Sequence, residues 1–330
     1  MILAGDIGGT HARVAIFDIA NGRLNRIDEQ VYATREFPNL ESVVRMFLKQ
    51  HPLTPGAACF GVAGPVADNR AHMPNAGWSI DGALLARELG ISHAAVINDL
   101  TANAYGIAAL EPRDFLTINQ GDPDARGNAG VISAGTGLGE AGLYFDGHTH
   151  RPFASEGGHA DFAPGDDLQI ELLRFLRAEF GRVSVERVLS GGGLCNIYRF
   201  LRDTRRGDEP PWLAAELKIG DAAAAITRAA LDAKAALCET ALEVFVSIYG
   251  AEAGNLALRL MASGGIYIGG GIAVKIAARL ASPAFMAAFA AKGRMSEIVR
   301  RIPVRVILND SAALFGAARA AALDAKLLNA

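Results

Sequence analysis

Residues 2–17 run Ile-Leu-Ala-Gly-Asp-Ile-Gly-Gly-Thr-His-Ala-Arg-Val-Ala-Ile-Phe, two largely apolar segments separated by a glycine-rich one. The first segment, residues 2–5, predicts a β-strand, and residues 12–17 predict a second. Between them, residues 6–10 predict a turn. After the second strand, Asn21-Gly22 is typical of a tight hairpin. The stretch therefore predicts a strand, a glycine turn, a strand and a hairpin turn in succession.

A second stretch, residues 128–147, repeats this pattern. Its strands are predicted at 131–133 and 142–145, with a glycine turn at 135–139 between them and Asp146-Gly147 closing the second strand. The copies lie about 125 positions apart, which indicates a duplicated domain and not a short-period repeat.

The rest of the chain alternates between strand and helix patterns. The predicted strands are 57–62, 94–97, 266–268 and 304–308, and the predicted helices are 80–89, 100–110, 167–180, 273–280 and a terminal one from about 311. The alanine-rich tract 221–262 favours helix, and the charged, proline-containing segment 203–212 predicts an exposed connection. This alternation predicts an α/β protein of two related lobes, and 330 residues agree with about two domains.

Composition excludes several classes of protein. Apolar residues make up 51% and charged residues 20%, so disorder is excluded as the main state. The net charge of -3 leaves no basic excess for nucleic acid. We find neither an apolar run long enough for a membrane span nor a basic secretory leader, so a cytoplasmic protein with no membrane partner is expected. Cys59, Cys195 and Cys238 are sparse and odd in number, which fits a reducing compartment and argues against a cysteine zinc site.

The two glycine turns predict phosphate binding, because backbone N–H groups can approach an anion where no Cβ intervenes. Gly8-Gly9-Thr10 adds a threonine hydroxyl, and Asp6 beside it suggests Mg²⁺, since a carboxylate repels phosphate unless a cation intervenes. The alternative is a plain hairpin with Asp6 as a turn residue. Residues 135–139 repeat the chemistry without the acid.

Residues 137–142 also match Gly-x-Gly-x-x-Gly, the dinucleotide-binding pattern. That pattern requires a helix to begin inside the turn, whereas residues 141–145 predict a strand. An NAD-dependent dehydrogenase is therefore a weak alternative. The P-loop, the Gly-x-Ser-x-Gly elbow and the His-Glu-x-x-His zinc helix are all missing from the sequence.

Polar residues with candidate roles follow the predicted strands. Asp99 stands at the carboxyl tip of the strand 94–97, where ligands bind in α/β sheets, although it could instead cap the next helix. Asn98 beside it offers a donor and an acceptor to a sugar hydroxyl. Glu156 and His159 flank two glycines, which favours a tight loop presenting both to one small ligand over a polar surface turn.

Three further residues are less informative by themselves. Glu186 could be a solvated helix residue. Asn75 and Trp78 lie in one Pro-Asn-Ala-Gly-Trp loop, and simple packing is the better interpretation of Trp78.

Six motifs together resemble the bacterial glucokinases, in the branch typical of proteobacteria, within the hexokinase/actin/Hsp70-like ATPase superfamily. They occur in the family's order over nearly the whole chain, at residues 5–13, 97–102, 134–139, 156–164, 186–191 and 264–272. The cysteine-rich zinc motif of the related repressor/kinase branch is missing, which favours the zinc-free branch. Residues 76–77 and 191–193 depart slightly from the commonest family forms.

The resemblance implies a two-lobed actin-like ATPase (ribonuclease H-like) fold of duplicated α/β domains around a central cleft. The expected domains are 1–109 plus 311–330, and 110–310, and a homodimer is expected. The implied reaction is ATP-dependent phosphorylation of D-glucose at the 6-hydroxyl, with Mg²⁺.

The resemblance also implies residue roles. Asp99 corresponds to the catalytic base, and the implied glucose ligands are Asn75, Asn98, Asp99, Glu156, His159 and Glu186. ATP is expected at Gly5, Asp6, Ile7, Gly8, Gly9 and Thr10, at Gly135, Thr136 and Gly137, and at Gly269, Gly270 and Gly271. Asp6 is expected to hold Mg²⁺, directly or through water.

Two alternatives besides the dehydrogenase stay open. One is a sugar-sensing transcriptional regulator on the same fold, for which the sequence predicts no helix-turn-helix before the first turn or after Ser311. The other is a kinase of another hexose such as mannose, fructose or an N-acetylhexosamine, since sequence gives no pocket volume.

Overall fold

The structure is a computed structural model that describes residues 1–74 and 76–328. The chain divides into two compact units. The first unit contains Met1–Asp114, Arg151–Ala154 and the chain from Asn309 onward, and the second contains Phe115–His150 and Ser155–Leu308.

Strands and helices alternate along much of the described chain. The strands are β1 (Ile2–Ile7), β2 (His11–Ala20), β3 (Arg23–Ala33), β4 (Ala57–Val62), β5 (Val66–Ala67), β6 (Arg70–Met73), β7 (Trp78–Asp81), β8 (Ala94–Asn98), β9 (Phe115–Asn119), β10 (Ala129–Ala134), β11 (Leu138–Phe145), β12 (His150–Ser155), β13 (Gly265–Gly269) and β14 (Val304–Ile307). The α-helices are α1 (Leu40–Gln50), α2 (Gly82–Leu89), α3 (Asp99–Gly106), α4 (Asp167–Phe180), α5 (Gly191–Asp203), α6 (Pro211–Ile219), α7 (Ala222–Leu231), α8 (Ala236–Leu260), α9 (Gly271–Lys275), α10 (Ala277–Leu280), α11 (Pro283–Ala290), α12 (Ser296–Arg300) and α13 (Ala312–Asp324).

The predicted duplication is visible in the two large sheets. The first has the order β3-β2-β1-β4-β8 and the second the order β12-β11-β10-β13-β14-β9. In each, a hairpin with a glycine turn (β1–β2 or β10–β11) pairs on its other side with a parallel strand, β4 or β13. A further parallel strand, β8 or β14, follows. Apart from the added edge strand β9, the copies share one topology.

The central strands are buried on both faces, as expected for parallel strands covered by helices. In the first unit, α3 and α13 cross at two glycines. A Cβ on Gly106 would collide with the carbonyl oxygen of Ala312, and one on Gly316 with that of Ala102. Helix α8, which is largely apolar, forms much of the core of the second unit, where Phe245 and Tyr249 are fully buried.

Two predicted helices are corrected, and the tract predicted to favour helix is helical in two segments. The helix predicted at 80–89 begins at Gly82, because Ile80 and Asp81 belong to β7 and the Asp81 carboxylate caps the helix. The tract 221–262 is two helices, α7 and α8, interrupted where Ala233 adopts a φ of 52°. The helix predicted at 273–280 is also two, α9 and α10, and it begins two residues earlier, at Gly271. Within the described residues, no helix is long and apolar enough to cross a membrane.

Candidate active site

The first glycine turn joins β1 to β2 in the first unit. Gly8 N–H donates to the carbonyl of His11 at 2.8 Å and closes the turn. Buried Thr34 stabilises the turn with two hydrogen bonds. Its backbone N–H donates to the Thr10 carbonyl at 2.9 Å, and its hydroxyl donates to the Gly8 carbonyl at 3.1 Å. Gly9 and Thr10 are exposed, and no hydrogen bond within residues 1–74 and 76–328 uses their N–H groups. These N–H groups are therefore available to donate hydrogen bonds to an anion.

Two other residues of this motif, Gly5 and Ile7, lie within the strand and not in the turn. Gly5 and Ile7 are buried inside β1, and a Cβ on Gly5 would lie 2.5 Å from the ring of Phe60. They support the turn from within the sheet, and their contact with ATP stays a prediction.

Asp6 lies on β1 opposite Arg13 and is partly buried. Burial raises the pKa of its carboxyl, Arg13 lowers it, and Asp310 and Glu29 raise it further. A carboxylate whose charge is disfavoured in this way gains from a cation. The described residues contain no group of three or more metal-ligating side chains. Asp6 therefore suits Mg²⁺, which keeps several waters and is bound by one or two carboxylates with substrate phosphates.

Asn98 and Asp99 lie at the carboxyl edge of the first sheet, where β8 ends and α3 begins. The helix cap is Asn98, whose Oδ1 accepts from the N–H groups of Leu100 (2.9 Å) and Thr101 (3.3 Å). The sequence-based alternative that Asp99 caps this helix is therefore wrong, because Asp99 is its first helical residue. Asp99 is partly buried, and its Oδ1 accepts from Leu100 N–H at 2.9 Å. The Asn98 amide nitrogen donates to the Gly64 carbonyl at 3.2 Å, which leaves its second N–H for a ligand.

Asn75 lies outside the described residues. Trp78, from the same loop, is buried, and its indole N–H donates to the carbonyl of Phe37 at 3.2 Å. The packing interpretation of Trp78 is confirmed.

The second glycine turn joins β10 to β11 in the second unit. Gly135 N–H donates to the Gly137 carbonyl (2.8 Å), and the Gly135 carbonyl accepts from Gly191 N–H (2.8 Å). Leu138 N–H donates to Oε2 of Glu186 at 2.9 Å. A Cβ on Gly137 would lie 2.6 Å from that oxygen, so a larger residue there would displace the carboxylate. Glu186 is therefore anchored on the turn and is not a solvated helix residue.

Glu156–His159, which we name the sugar turn, packs on β11. Residues Gly157–His159 form one turn of 3-10 helix, so the predicted loop has a defined helical turn but no α-helix. Gly158 is buried against the backbone of Leu138, where a Cβ would collide with the carbonyl oxygen. The side chains of Glu156 and His159 are exposed and accessible to a ligand.

Backbone pairing brings Glu186 to the sugar turn. Asp161 and Ser184 form an antiparallel bridge, and Val185 N–H donates to the Ala160 carbonyl at 2.9 Å. The 3-10 turn Val185–Arg187 then contacts the 3-10 turn of Gly157–His159. Three of the predicted sugar ligands thus gather within the second unit.

A cavity of about 510 Å³ opens beside the second glycine turn, within the second unit. Its size is ordinary for a small-molecule site. The first turns of α5, α7 and α9 border it, which directs backbone N–H groups toward an anionic ligand. The lining residues are Gly135, Thr136, Gly191, Gly192, Leu194, Cys195, Asp221, Ala222, Ala223, Ala224, Thr227, Gly271, Ile272 and Lys275.

Gly269 ends β13 and is buried, and Gly270 has a φ of 89°. A Cβ on Gly270 would lie 2.5 Å from Ser133 Oγ and 2.7 Å from the Ala134 carbonyl oxygen, so the loop needs glycine there. Of the predicted ATP residues, Gly135, Thr136 and Gly271 share the cavity.

Sequence reasoning missed Asp221, Thr227 and Lys275 on the wall of this cavity. The clearest signal for the first was the helix start that Asp221 caps, its Oδ1 accepting from Ala224 N–H at 3.1 Å.

It also missed a second Asn-Asp pair. Asn309-Asp310 follows β14 as Asn98-Asp99 follows β8, and Asn309 Oδ1 accepts from Ser311 N–H at 2.9 Å. The sequence could have indicated this pair, because the same Asn-Asp dipeptide follows both predicted strands.

Two sheets of one topology, each with a glycine hairpin suited to phosphate, define the class of actin-like ATPases that includes sugar kinases. The predicted fold class is confirmed by solved structures, among them a glucokinase from an Antarctic psychrotroph, with a TM-score of 0.84 and 32% identity over 97% of this chain and 98% of that one. A glucokinase of the ROK family from Streptomyces griseus, solved with glucose and AMPPNP, shares the fold with a TM-score of 0.60 at 22% identity, over 98% of this chain and 99% of that one.

A family model described as Glucokinase matches residues 3–324. A glucokinase of Nostoc sp. is 43% identical over 98% of this chain and 99% of its own, and one of Shigella dysenteriae is 39% identical over 95% and 94%. The chain belongs to the glucokinase family, as its motifs indicated. Glucokinases are kinases that phosphorylate glucose using ATP. The dinucleotide pattern at 137–142 lies in a hairpin and begins no helix, which contradicts the dehydrogenase alternative.

Proposed function

We propose that this chain transfers the γ-phosphoryl group of ATP to the 6-hydroxyl of D-glucose, giving glucose 6-phosphate and ADP. The observation that carries the proposal is the pair of glycine hairpins on matching sheets, within a chain of the glucokinase family. A primary alcohol is a poor nucleophile while protonated, so the reaction needs a base and a phosphate site.

Asp99 is the proposed base. It takes the 6-hydroxyl proton as the oxygen attacks the γ-phosphorus, a contribution typically worth about 10²–10⁴-fold. Its place on the first turn of α3 favours its negative charge, because the N-terminus of a helix is the positive end of its dipole.

Glucose hydroxyls are proposed to bind Glu156, His159 and Glu186, with the free N–H of Asn98 and the side chain of Asn75. Hydrogen bonds of this kind discriminate strongly, since a sugar that lacks one hydroxyl leaves a polar group of the site unpaired. Glu186 has a second role here, because the same carboxylate anchors the second glycine turn through Leu138 N–H.

ATP is proposed to bind with its phosphates at the two glycine turns and its adenosine in the cavity bounded by Gly271. Asp6 would hold Mg²⁺ through water or directly. The cation, when bound, offsets the negative charge of the phosphates. Exposed N–H groups of Gly9 and Thr10 supply the fixed donors that a P-loop would otherwise provide.

We also propose the coarser features that accompany this activity. They are a cytoplasmic homodimer, with the domains 1–109 plus 311–330 and 110–310, and neither nucleic acid nor membrane as a partner.

The test is ADP release, measured with a coupled assay on D-glucose, mannose, fructose and N-acetylglucosamine at equal concentrations. We expect glucose to give the highest kcat/KM. A higher value for another hexose would replace glucose as the substrate. No turnover, together with sugar-dependent DNA binding, would support the regulator instead.

A further inference from the structure

Glu140 lies on β11, two residues after Leu138, whose N–H anchors Glu186. Its side chain is fully buried beneath the sugar turn. A Cβ added to Gly157 would collide with Oε2 of Glu140, so the carboxyl lies directly under the backbone of that turn. Nothing in the proposed reaction uses this group.

The surroundings of Glu140 contain several charged and titratable groups. On α8, buried Glu252 forms an ion pair with Arg259, and Arg259 NH1 lies 3.5 Å from Oε2 of Glu140. Tyr249 of the same helix is buried nearby. Lys292 is the last charged member of the cluster, and its ammonium donates to the Ala251 carbonyl (2.8 Å) and to Asn255 Oδ1 (2.7 Å). From the sugar turn above, the titratable side chains are Glu156 and His159.

The two carboxyl oxygens of Glu140 are unequal. Oε2 has the guanidinium of Arg259, whereas buried Oε1 has no hydrogen-bond partner among the residues that the structure describes. Burial, and then the negative charge of Glu252, raise the pKa of Glu140 to about 8, against the lowering effect of Arg259. An ionised carboxylate here would leave Oε1 charged, buried and unpaired, which is far more costly than a neutral carboxyl.

We propose that Glu140 is a positioning residue for the sugar turn: its neutral carboxyl supports Glu156 and His159 in the glucose-binding arrangement, and its ionisation displaces the turn. The backbone of Gly157 lies against Oε2 of this carboxyl, and its N–H donates to the hydroxyl of Ser155 at 3.0 Å. Ionisation draws a donor or water to the unpaired oxygen, which shifts the carboxyl, and the turn in contact with that carboxyl at Gly157 moves with it. Glucose affinity therefore falls as pH rises, while ATP affinity does not.

The proposal rests on the proposed function, and its test is the pH profile of the two KM values. With a pKa of about 8, the neutral fraction at pH 9 is about one eleventh, so the glucose KM should rise about tenfold from pH 7 to pH 9. The ATP KM should stay nearly constant over that range. In Glu140→Gln, which mimics the neutral carboxyl, the glucose KM should be independent of pH.

Two further variants separate Glu140 from its neighbours. Glu252→Gln removes the adjacent negative charge, so the rise in glucose KM should begin at lower pH, because less repulsion lowers the pKa of Glu140. Lys292→Arg is the matched control, since an arginine keeps its charge throughout and should leave the wild-type profile unchanged.

The outcomes are distinguishable from failure of the proposed function. A wild type that does not phosphorylate glucose would overturn the function itself. A wild type that does, with Glu140→Gln keeping the wild-type rise in glucose KM, would overturn only the positioning role. Equal rises in the KM for glucose and for ATP would overturn it as well. Calorimetric glucose binding without ATP at pH 7 and pH 9 should show the same loss of affinity as the kinetics.

Discussion

The two glycine hairpins share a backbone arrangement but differ in charge. In the first, Asp6 on β1 lies opposite Arg13. At the same distance before the turn, the second hairpin has Ser133 opposite Gly139. One copy thus has an acid–arginine pair where the other is neutral. We infer that duplication supplied the two glycine turns, of which only the first carries the acid proposed to hold Mg²⁺.

The hairpins also differ in their support. Thr34 holds the first through neutral hydrogen bonds to the Gly8 and Thr10 carbonyls. The second is held by the carboxylate of Glu186, a proposed sugar ligand. If Glu186 binds glucose as proposed, glucose can affect the second turn directly, whereas the first is held by Thr34, which is not a proposed sugar ligand.

A similar comparison applies to the two Asn-Asp pairs. In both, the asparagine binds the backbone N–H two residues later. Asp99 is partly buried on the first turn of α3, while the side chain of Asp310 is 81% exposed and pairs with Arg13 at 3.4 Å. One copy has the environment of a catalytic base, and the other that of a surface ion pair.

The largest expected effect separates these two aspartates. Asp99→Asn should lower kcat by at least about 10²-fold, the low end for loss of a general base, with fold and glucose binding kept. Asp310→Asn, the matched variant in the other copy, should keep kcat within about fivefold, because an exposed ion pair is worth about 0–1 kcal/mol. Steady-state kinetics and glucose calorimetry would measure both. If Asp99→Asn kept more than a tenth of wild-type kcat, another residue would be the base.

Next in size is His159→Ala. Losing a hydrogen bond to a sugar hydroxyl costs about 1–3 kcal/mol, so the glucose KM should rise roughly ten- to a hundredfold with the ATP KM nearly unchanged. Thermal stability should barely change, because His159 is exposed. His148→Ala, an exposed histidine in the turn after β11, is the control and should match the wild type. A glucose KM within twofold of wild type would leave His159 as a plain surface residue.

Asp6→Ala tests the difference in charge between the hairpins. We expect the affinity for Mg·ATP to fall about tenfold, since one contact to a charged group is worth about 1.5–3 kcal/mol and this one acts through water. Glucose affinity should hold, as calorimetry with each ligand would show. Ser133→Ala, at the matching place in the other hairpin, should reduce Mg·ATP affinity less. Loss of glucose affinity with intact Mg·ATP affinity would instead assign Asp6 to the sugar-binding site.

Local patterns predicted the parts of the fold and site that depend on neighbours in sequence. Both glycine turns and the strand before Asp99 are of this kind, because turn residues and hydrophobic alternation act over a few positions. The wall of the cavity at Lys275 and the buried Glu140 depend on contacts between distant segments, which a single sequence does not contain. Glu186 is intermediate in how far the sequence predicted it. The motif indicated it as a site residue, but only the structure shows that its carboxylate accepts from Leu138 N–H.

The smallest effect concerns the support of the first hairpin. Thr34→Val keeps the shape of the buried side chain and removes the hydroxyl that donates to the Gly8 carbonyl at 3.1 Å. Because Gly8 is only partly buried, water can replace that donor, and the free energy of unfolding should fall by about 1 kcal/mol. Urea denaturation would measure this, with Thr240→Val as the control, a half-buried helical threonine whose hydroxyl donates to the Ala236 carbonyl at 3.1 Å. The ATP KM should rise slightly and the glucose KM should not, since the hydroxyl that is removed bonds to the first turn. A rise in the glucose KM alone would mean that the first hairpin, like the second, is coupled to the sugar.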